Sequence, residues 1–145
     1  MVDVDLVAAK LAELNDRVDR VRAHRTDSDE ELAADRDKLD IVSFNLMLAV
    51  QACADIASHI IADEGWTAAK TLAESFARLA DHGVLEPVTA ETMKKAVGLR
   101  NVVAHGYVRV DIPMVHRAAT AGLDDLSAFA RQVARWLEQA RPTAQ

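Results

Sequence analysis

The apolar pattern between residues 32 and 60 constrains this chain more than any other feature of its sequence. Apolar residues recur there at helical spacing, at Leu32, Leu39, Val42, Leu46, Ala49, Cys53, Ile56 and Ile60. Positions three and four apart lie on one side of an α-helix, so the pattern predicts a long helix with one buried face. Ser28 and Glu31 fit a capping box that predicts a start near Asp29, and Gly65 predicts the end.

A shorter apolar stripe precedes this segment. Five aliphatic residues repeat in alternating steps of four and three, at Val7, Leu11, Leu14, Val18 and Val21. The repeat predicts a first amphipathic helix. Because the link between the two stripes is short and polar, we expect the two long helices to form an antiparallel hairpin.

The next segments predict two shorter helices. The third helix should cover Ala68 to about His82, since Gly83 is a typical stop signal. Thr89 fits the N-cap of a fourth helix, which should end near Gly106.

The last part of the chain predicts an extended segment and a final helix. In "YVRVDIP", Pro113 disfavours helical backbone at Ile112. The final helix should run from about Leu123 to Ala140. No segment alternates long enough to build a sheet. We therefore expect an all-α protein, a bundle of about five helices in one domain spanning residues 1–145.

Composition and charge restrict the functions and the cellular location that we expect for such a bundle. The formal net charge is -6, so bulk charge does not indicate a nucleic-acid-binding protein. A single cysteine, Cys53, excludes a disulfide within one chain. The acidic N-terminus lacks the features of a signal peptide, and no stretch approaches the roughly 20 apolar residues of a membrane span. We expect a cytoplasmic protein with no membrane association.

The reactive side chains gather in "GLRNVVAHGYVRVD", residues 98–111. Helical positions five apart lie roughly 140° apart, so Arg100 and His105 would not share a face, whereas Asn101 and His105 would. Fraying at Gly106, or a second copy of the helix in a two-fold dimer, would bring Arg100 and His105 into one cleft.

Local charge at this place favours an anionic ligand. Between residues 94 and 117 the only acid is Asp111, and the five bases are Lys94, Lys95, Arg100, Arg109 and Arg117. Residues 1–40 hold twelve acids and seven bases. A positive cleft on an acidic protein is therefore expected near the motif.

The same motif resembles the signature of the HEPN superfamily of helical ribonucleases. Arg100 and a polar Asn101, followed three residues later by His105, match that signature, and Tyr107 in "HGY" resembles the HepT subfamily of bacterial toxins. The segment "RDKLDIVSFNLMLAVQACADIASHII" is similar to the second helix of that family, including its Asp-Ile-Ala and His-Ile elements. "ESFARLADHGVL" follows in the order of the family, so the resemblance covers most of the chain.

The resemblance implies a metal-independent endoribonuclease that works without a cofactor. It implies a homodimer that cuts RNA and is neutralised by a minimal nucleotidyltransferase antitoxin (MntA-like), which adds AMP to Tyr107. Arg100 and His105 would be the catalytic residues, because RNA cleavage needs phosphate charge stabilisation and proton transfer. The supporting residues would be Asn101 and Asp55, and the RNA contacts would come from Lys94, Lys95 and Arg109.

Plainer interpretations stand beside these roles. His105 would only cap the end of its helix, and Arg100 and Asp55 would each form an ordinary ion pair. The three basic residues would be a solvated face, and a metal site from Asp55, His59 and His105 has little support because no ligand-dense spacing appears. On that basis the competing function is a catalytically inactive HEPN-type helical module that partners a nucleotidyltransferase.

Overall fold

The computed structural model describes residues 1–106 and 111–140, and this part of the chain is built from helices. We number them in chain order: α1 (Val4–His24), α2 (Asp29–Ala34), α3 (Arg36–Asp63), α4 (Leu72–Asp81), α5 (Pro87–Ala104), α6 (Ile112–Ala119) and α7 (Ala121–Ala140). The all-α prediction is confirmed. The described residues give seven helices where the sequence predicted about five, because one predicted helix is divided and one was not foreseen.

The two long helices, α1 and α3, pack antiparallel as predicted. At one end of the pair the backbone N–H of Asp3 donates to Oδ2 of Asp63 over 3.0 Å. Nearer the other end, Nη1 of Arg17 donates to Oδ1 of Asn45 over 3.2 Å. Every residue of both predicted apolar stripes is buried. Burial of those stripes against each other and against the later helices supplies most of the driving force for the fold.

The predicted long second helix is interrupted at Asp35. Its start was right, since Ser28 caps α2 and its hydroxyl accepts from the backbone N–H of Glu31 over 3.1 Å. Asp35 has extended backbone (φ -122°, ψ 94°), and its carboxylate accepts from the backbone N–H of Lys38 over 3.1 Å. The apolar stripe continues across the break, which is why periodicity alone did not show it.

We expect Asp35→Ala to lower the free energy of unfolding by about 1 kcal/mol, since it removes the N-cap of the central helix. Chemical denaturation followed by circular dichroism measures the change. Asp16→Ala is the matched control, because Asp16 is exposed in the middle of α1 and makes no side-chain hydrogen bond or ion pair with any described residue. A loss of equal size in both variants would contradict the capping role.

Helix α3 is the core of the bundle. Among the described helices it alone is long and apolar enough to cross a membrane by length and composition, yet 61% of its most apolar window is buried inside the protein. Residues such as Ala49, Ile56 and Ile60 have no exposed surface, because α1, α4, α5, α6 and α7 pack around α3. Its apolar composition is therefore explained by packing within the bundle.

The two ends of α4 differ in how well the sequence predicted them. Gly83 ends the helix as expected: its φ is +78°, a region that glycine enters without steric cost. The start lies at Leu72 and not at Ala68, because the hydroxyl of Thr71 caps the helix by accepting from the backbone N–H of Glu74.

Helix α5 starts two residues before the predicted cap. Pro87 occupies its first turn, where the missing N–H of proline costs nothing, and Thr89 is a buried residue inside the helix. The side chain of Gln132 from α7 holds this start from both sides. It donates to Oγ1 of Thr89 over 2.7 Å and accepts from the backbone N–H of Glu86 over 2.8 Å.

Helix α6 corrects the predicted extended segment. Ile112 is helical and Pro113 lies in the first turn, so the proline helps to begin a helix instead of preventing one. Two long-range bonds hold α6 against the link that follows α1. Nε2 of His116 lies 3.1 Å from the carbonyl oxygen of Thr26, and Nη1 of Arg25 donates to the carbonyl of Ala119 over 3.2 Å.

Candidate active site

Arg100 lies on α5 four residues before the last residue of that helix and is half-buried. Within residues 1–106 and 111–140 its guanidinium makes no ion pair and no hydrogen bond. The plainer interpretation, an acid paired with Arg100, therefore has no support among the described residues. A guanidinium keeps its charge and presents a fork of N–H donors that matches phosphate oxygens.

His105 is the residue at which α5 ends. Its backbone (φ -94°, ψ 3°) leaves the helix, and its N–H donates to the carbonyl of Asn101 over 3.1 Å. Gly106 follows with a φ of +77°, so the predicted helix stop is correct. The imidazole is exposed. A histidine at this position presents a group that takes up and releases protons near neutral pH.

Asn101 is exposed one helical turn before His105. The two residues share a face of α5, and the main-chain hydrogen bond between them fixes their spacing. Arg100, in contrast, points roughly 140° away from the direction of position 105 for ideal helical backbone. One chain thus offers a cation and a proton carrier at one helix end, on different faces.

Asp55 is not joined to this group in a single chain. Its Oδ2 lies 3.5 Å from Nζ of Lys10, and its Oδ1 accepts from Nε2 of Gln51 over 3.1 Å. The structure therefore gives Asp55 the ordinary ion pair that the sequence left open as an alternative. His59 is half-buried on the same helix, and no group of three or more metal-ligating side chains occurs among the described residues.

The predicted RNA-contacting residues are separated by the structure. Nζ of Lys94 lies 2.9 Å from Oε2 of Glu91, on the exposed side of α5. Lys95 instead lines a cavity between α5, α6 and α7, together with Arg117. Arg109 and the predicted modification residue Tyr107 lie outside the described residues.

The cavity has a volume of about 550 Å³ and was missed by the sequence reasoning. It opens where α5 faces α6 and α7, and α3 forms its floor. The cavity exists because some of the residues that line it have small side chains or none, namely Gly98, Ala118 and Gly122. A cluster of small residues at helical spacing was the only available signal, and such residues usually mark close helix packing.

The chemistry open to the end of α5 is binding of an anion with proton transfer beside it. Arg100 supplies a fixed positive charge and His105 a proton carrier. Cys53 does not provide a competing nucleophile, because complete burial raises the pKa of its thiol and keeps it protonated.

Comparison with protein families adds to this geometry. The model of the HepT-like family, described as "Ribonuclease HepT-like", matches residues 14–133. That range includes α3, which carries the core stripe, and the whole of α5 with Arg100, Asn101 and His105. The match therefore extends over most of the bundle and not over the motif alone.

Two curated relatives carry the same family's names. The chain is 27% identical to the mRNA nuclease HepT of Shewanella oneidensis over 125 residues, which are 86% of this chain and 93% of that protein. It is 30% identical to the tRNA nuclease HepT of Aphanizomenon flos-aquae over 92 residues, 63% of each chain.

A solved structure shares the fold as well as the sequence pattern. The structure of the tri-AMPylated Shewanella oneidensis HEPN toxin in complex with MNT antitoxin matches with a TM-score of 0.81 and 26% identity. The match covers 93% of this chain and 99% of that one. The helices that carry the candidate residues thus have counterparts along almost the full length of that toxin.

Proposed function

We propose that this chain, which belongs to the HepT-like ribonuclease family of HEPN proteins, is an endoribonuclease toxin silenced by a nucleotidyltransferase antitoxin. The observation that carries the proposal is the end of α5. There a half-buried Arg100 without a partner among the described residues lies five residues before an exposed His105. The relatives are named as nucleases of mRNA and of tRNA, so RNA is the proposed substrate.

The proposed reaction is transfer of the RNA phosphoryl group to the neighbouring 2′-hydroxyl. His105 accepts the proton of that hydroxyl, and its oxygen forms a new bond to phosphorus. Arg100 stabilises the negative charge that develops on the phosphate oxygens. The bond from phosphorus to the 5′-oxygen breaks, that oxygen takes a proton from solvent water, and His105 returns its proton to the solvent. The products are a 2′,3′-cyclic phosphate and a 5′-hydroxyl, and no metal ion takes part.

The helical geometry supports a site composed from two chains. Because ideal helical spacing puts positions 100 and 105 on different faces, a two-fold axis near the end of α5 would place Arg100 of one protomer beside His105 of its partner. Asn101 would then orient His105 within its own chain. Lys94, Lys95 and Arg109 would attract the RNA strand.

We expect the protein to be a homodimer at micromolar concentration. Light scattering coupled to size-exclusion chromatography measures the mass of the particle in solution. A second readout tests the shared site: two inactive variants, His105→Ala and Arg100→Ala, should regain activity when mixed, because a mixed dimer contains one site with both native residues. A monomer that cleaves RNA at full rate would contradict the composite site.

The proposed antitoxin acts on Tyr107, the only tyrosine in the chain. Its phenolic oxygen would attack the α-phosphorus of ATP, forming a bond to AMP and releasing pyrophosphate. The Shewanella toxin is tri-AMPylated in complex with MNT antitoxin, which supports the same class of modification here. The adduct adds negative charge two residues from His105, and that charge competes with the RNA phosphate for Arg100.

The experiment that tests the function is expression of the chain with and without its genomic neighbour, in the cytoplasm where we propose that it works. Growth arrest with fragmented RNA, relieved by co-expression, is the expected result. The purified protein should cut RNA equally well with and without EDTA. Intact RNA under all conditions would favour the catalytically inactive partner module.

A further inference from the structure

The cavity between α5, α6 and α7 has an apolar floor. Its deepest walls are side chains from α3, α5 and α7 that are at least 96% buried: Leu46, Val50, Met93, Leu99 and Leu126. The volume of about 550 Å³ lies within the range of about 300–1,000 Å³ that is typical of small-molecule sites. A space of this size with such walls favours a hydrocarbon group over water.

The mouth of the cavity is positively charged. Lys95 and Arg117 are exposed there, and within the described part of the chain neither forms an ion pair. Asp125 is the only acid among the described lining residues, so the mouth keeps one excess positive charge. Two cations without acid partners, next to an apolar floor, are complementary to a ligand with one anionic end.

We propose that this cavity binds a small aliphatic anion, with its hydrocarbon chain against the floor and its anionic head between Lys95 and Arg117. A nucleobase fits less well. No aromatic residue lines the described walls for stacking, and Thr92 is the only hydroxyl there. A helix of another protein also fits less well, because the floor residues lie too deep to form a surface.

Gly98 offers a direct way to fill the cavity. A Cβ at this position would meet a single atom within 4 Å, Cε of Met114 at 3.6 Å, which is ordinary van der Waals contact. A larger side chain therefore has open space in front of it. Leucine is also a better helix former than glycine, so Gly98→Leu should fold while occupying the cavity.

The test uses decanoate and 1-decanol, which share a chain and differ in charge, with isothermal titration calorimetry and thermal unfolding as readouts. We expect decanoate to bind once per chain, to raise the Tm, and to bind more tightly than decanol. Gly98→Leu should weaken both ligands. The double variant Lys95→Gln, Arg117→Gln should weaken decanoate at least about tenfold and leave decanol unchanged.

The matched control is Arg131→Gln, an exposed arginine on α7 that does not line the cavity, which should bind decanoate as the native protein does. If decanoate and decanol bind the native protein equally tightly, the proposed role of the positive charge at the mouth is wrong. If decanoate binds Gly98→Leu as tightly as the native protein, it is an adventitious additive that binds outside the cavity, and the proposed site is wrong. Because no readout involves RNA, failure here and failure of the ribonuclease proposal are distinguishable.

Discussion

RNA cleavage by His105→Ala should fall about 10²–10⁴-fold, the usual cost of removing a general acid–base group. The fold should persist, because His105 is exposed and lies at the end of α5, outside the core. The measurement is the initial rate of cleavage of a labelled RNA by purified protein, with the helical signal in circular dichroism recorded on the same sample. Growth arrest on expression should disappear in parallel.

Two matched controls separate chemistry from general damage. His24→Ala removes a half-buried histidine from the last position of α1, also a helix end, and should keep the native rate. Arg100→Ala should lose nearly as much activity as His105→Ala, whereas Arg135→Ala removes an exposed arginine of α7 and should not. If His105→Ala cuts RNA at the native rate, the catalytic assignment is wrong.

Tyr107→Phe should abolish AMP transfer while keeping nuclease activity. The substitution removes only the acceptor hydroxyl, and the chain has no second tyrosine to replace it. Toxicity should therefore survive co-expression of the nucleotidyltransferase, apart from any protection by simple binding. Intact mass spectrometry after incubation with the partner and ATP measures the addition of AMP directly.

Native protein is the control for this experiment. Both proteins are assayed side by side for RNA cleavage, before and after incubation with the partner and ATP. Native protein should gain AMP and lose activity, and the variant should change in neither respect. An AMP-sized mass increase that persists in Tyr107→Phe would place the modification on another residue and refute the assignment of Tyr107.

The sequence predicted the parts of the fold that depend on one helix at a time. The stripes of α1 and α3 are buried because a helical face must be covered, and Ser28 and Gly65 act as helix ends through bonds within a few residues. The motif helix ends at His105 for the same local reason. Such features need no knowledge of the rest of the chain.

The errors concern residues whose role depends on context. Pro113 was interpreted as preventing a helix at Ile112, yet proline is tolerated in a first turn, and α6 is held by distant partners such as Thr26. Asp35 interrupts a stripe that continues past it, so no break was visible. Thr89 has a side chain of the capping type, but its hydroxyl accepts a hydrogen bond from Gln132, 43 residues later in the chain.

The sequence provides candidate residues for the site, whose roles stay predictions, but it does not provide their surroundings. Arg100, Asn101 and His105 were found from their spacing and from a family resemblance that the comparisons confirm. The pairing of Asp55 with Lys10 and the cavity at Lys95 and Arg117 arise from packing between helices distant in sequence. Those contacts cannot be derived from periodicity.

The two hydrogen bonds of Gln132 also set an order of events during synthesis of the chain on the ribosome. The helical hairpin that forms the floor of the bundle is complete once residue 63 has emerged, and domains form from the N-terminus as they are made. The start of α5 gains its two anchoring bonds only when residue 132 follows. Until then α5 packs against α3 and α4, which precede it in the chain, while its first turn lacks both of these bonds.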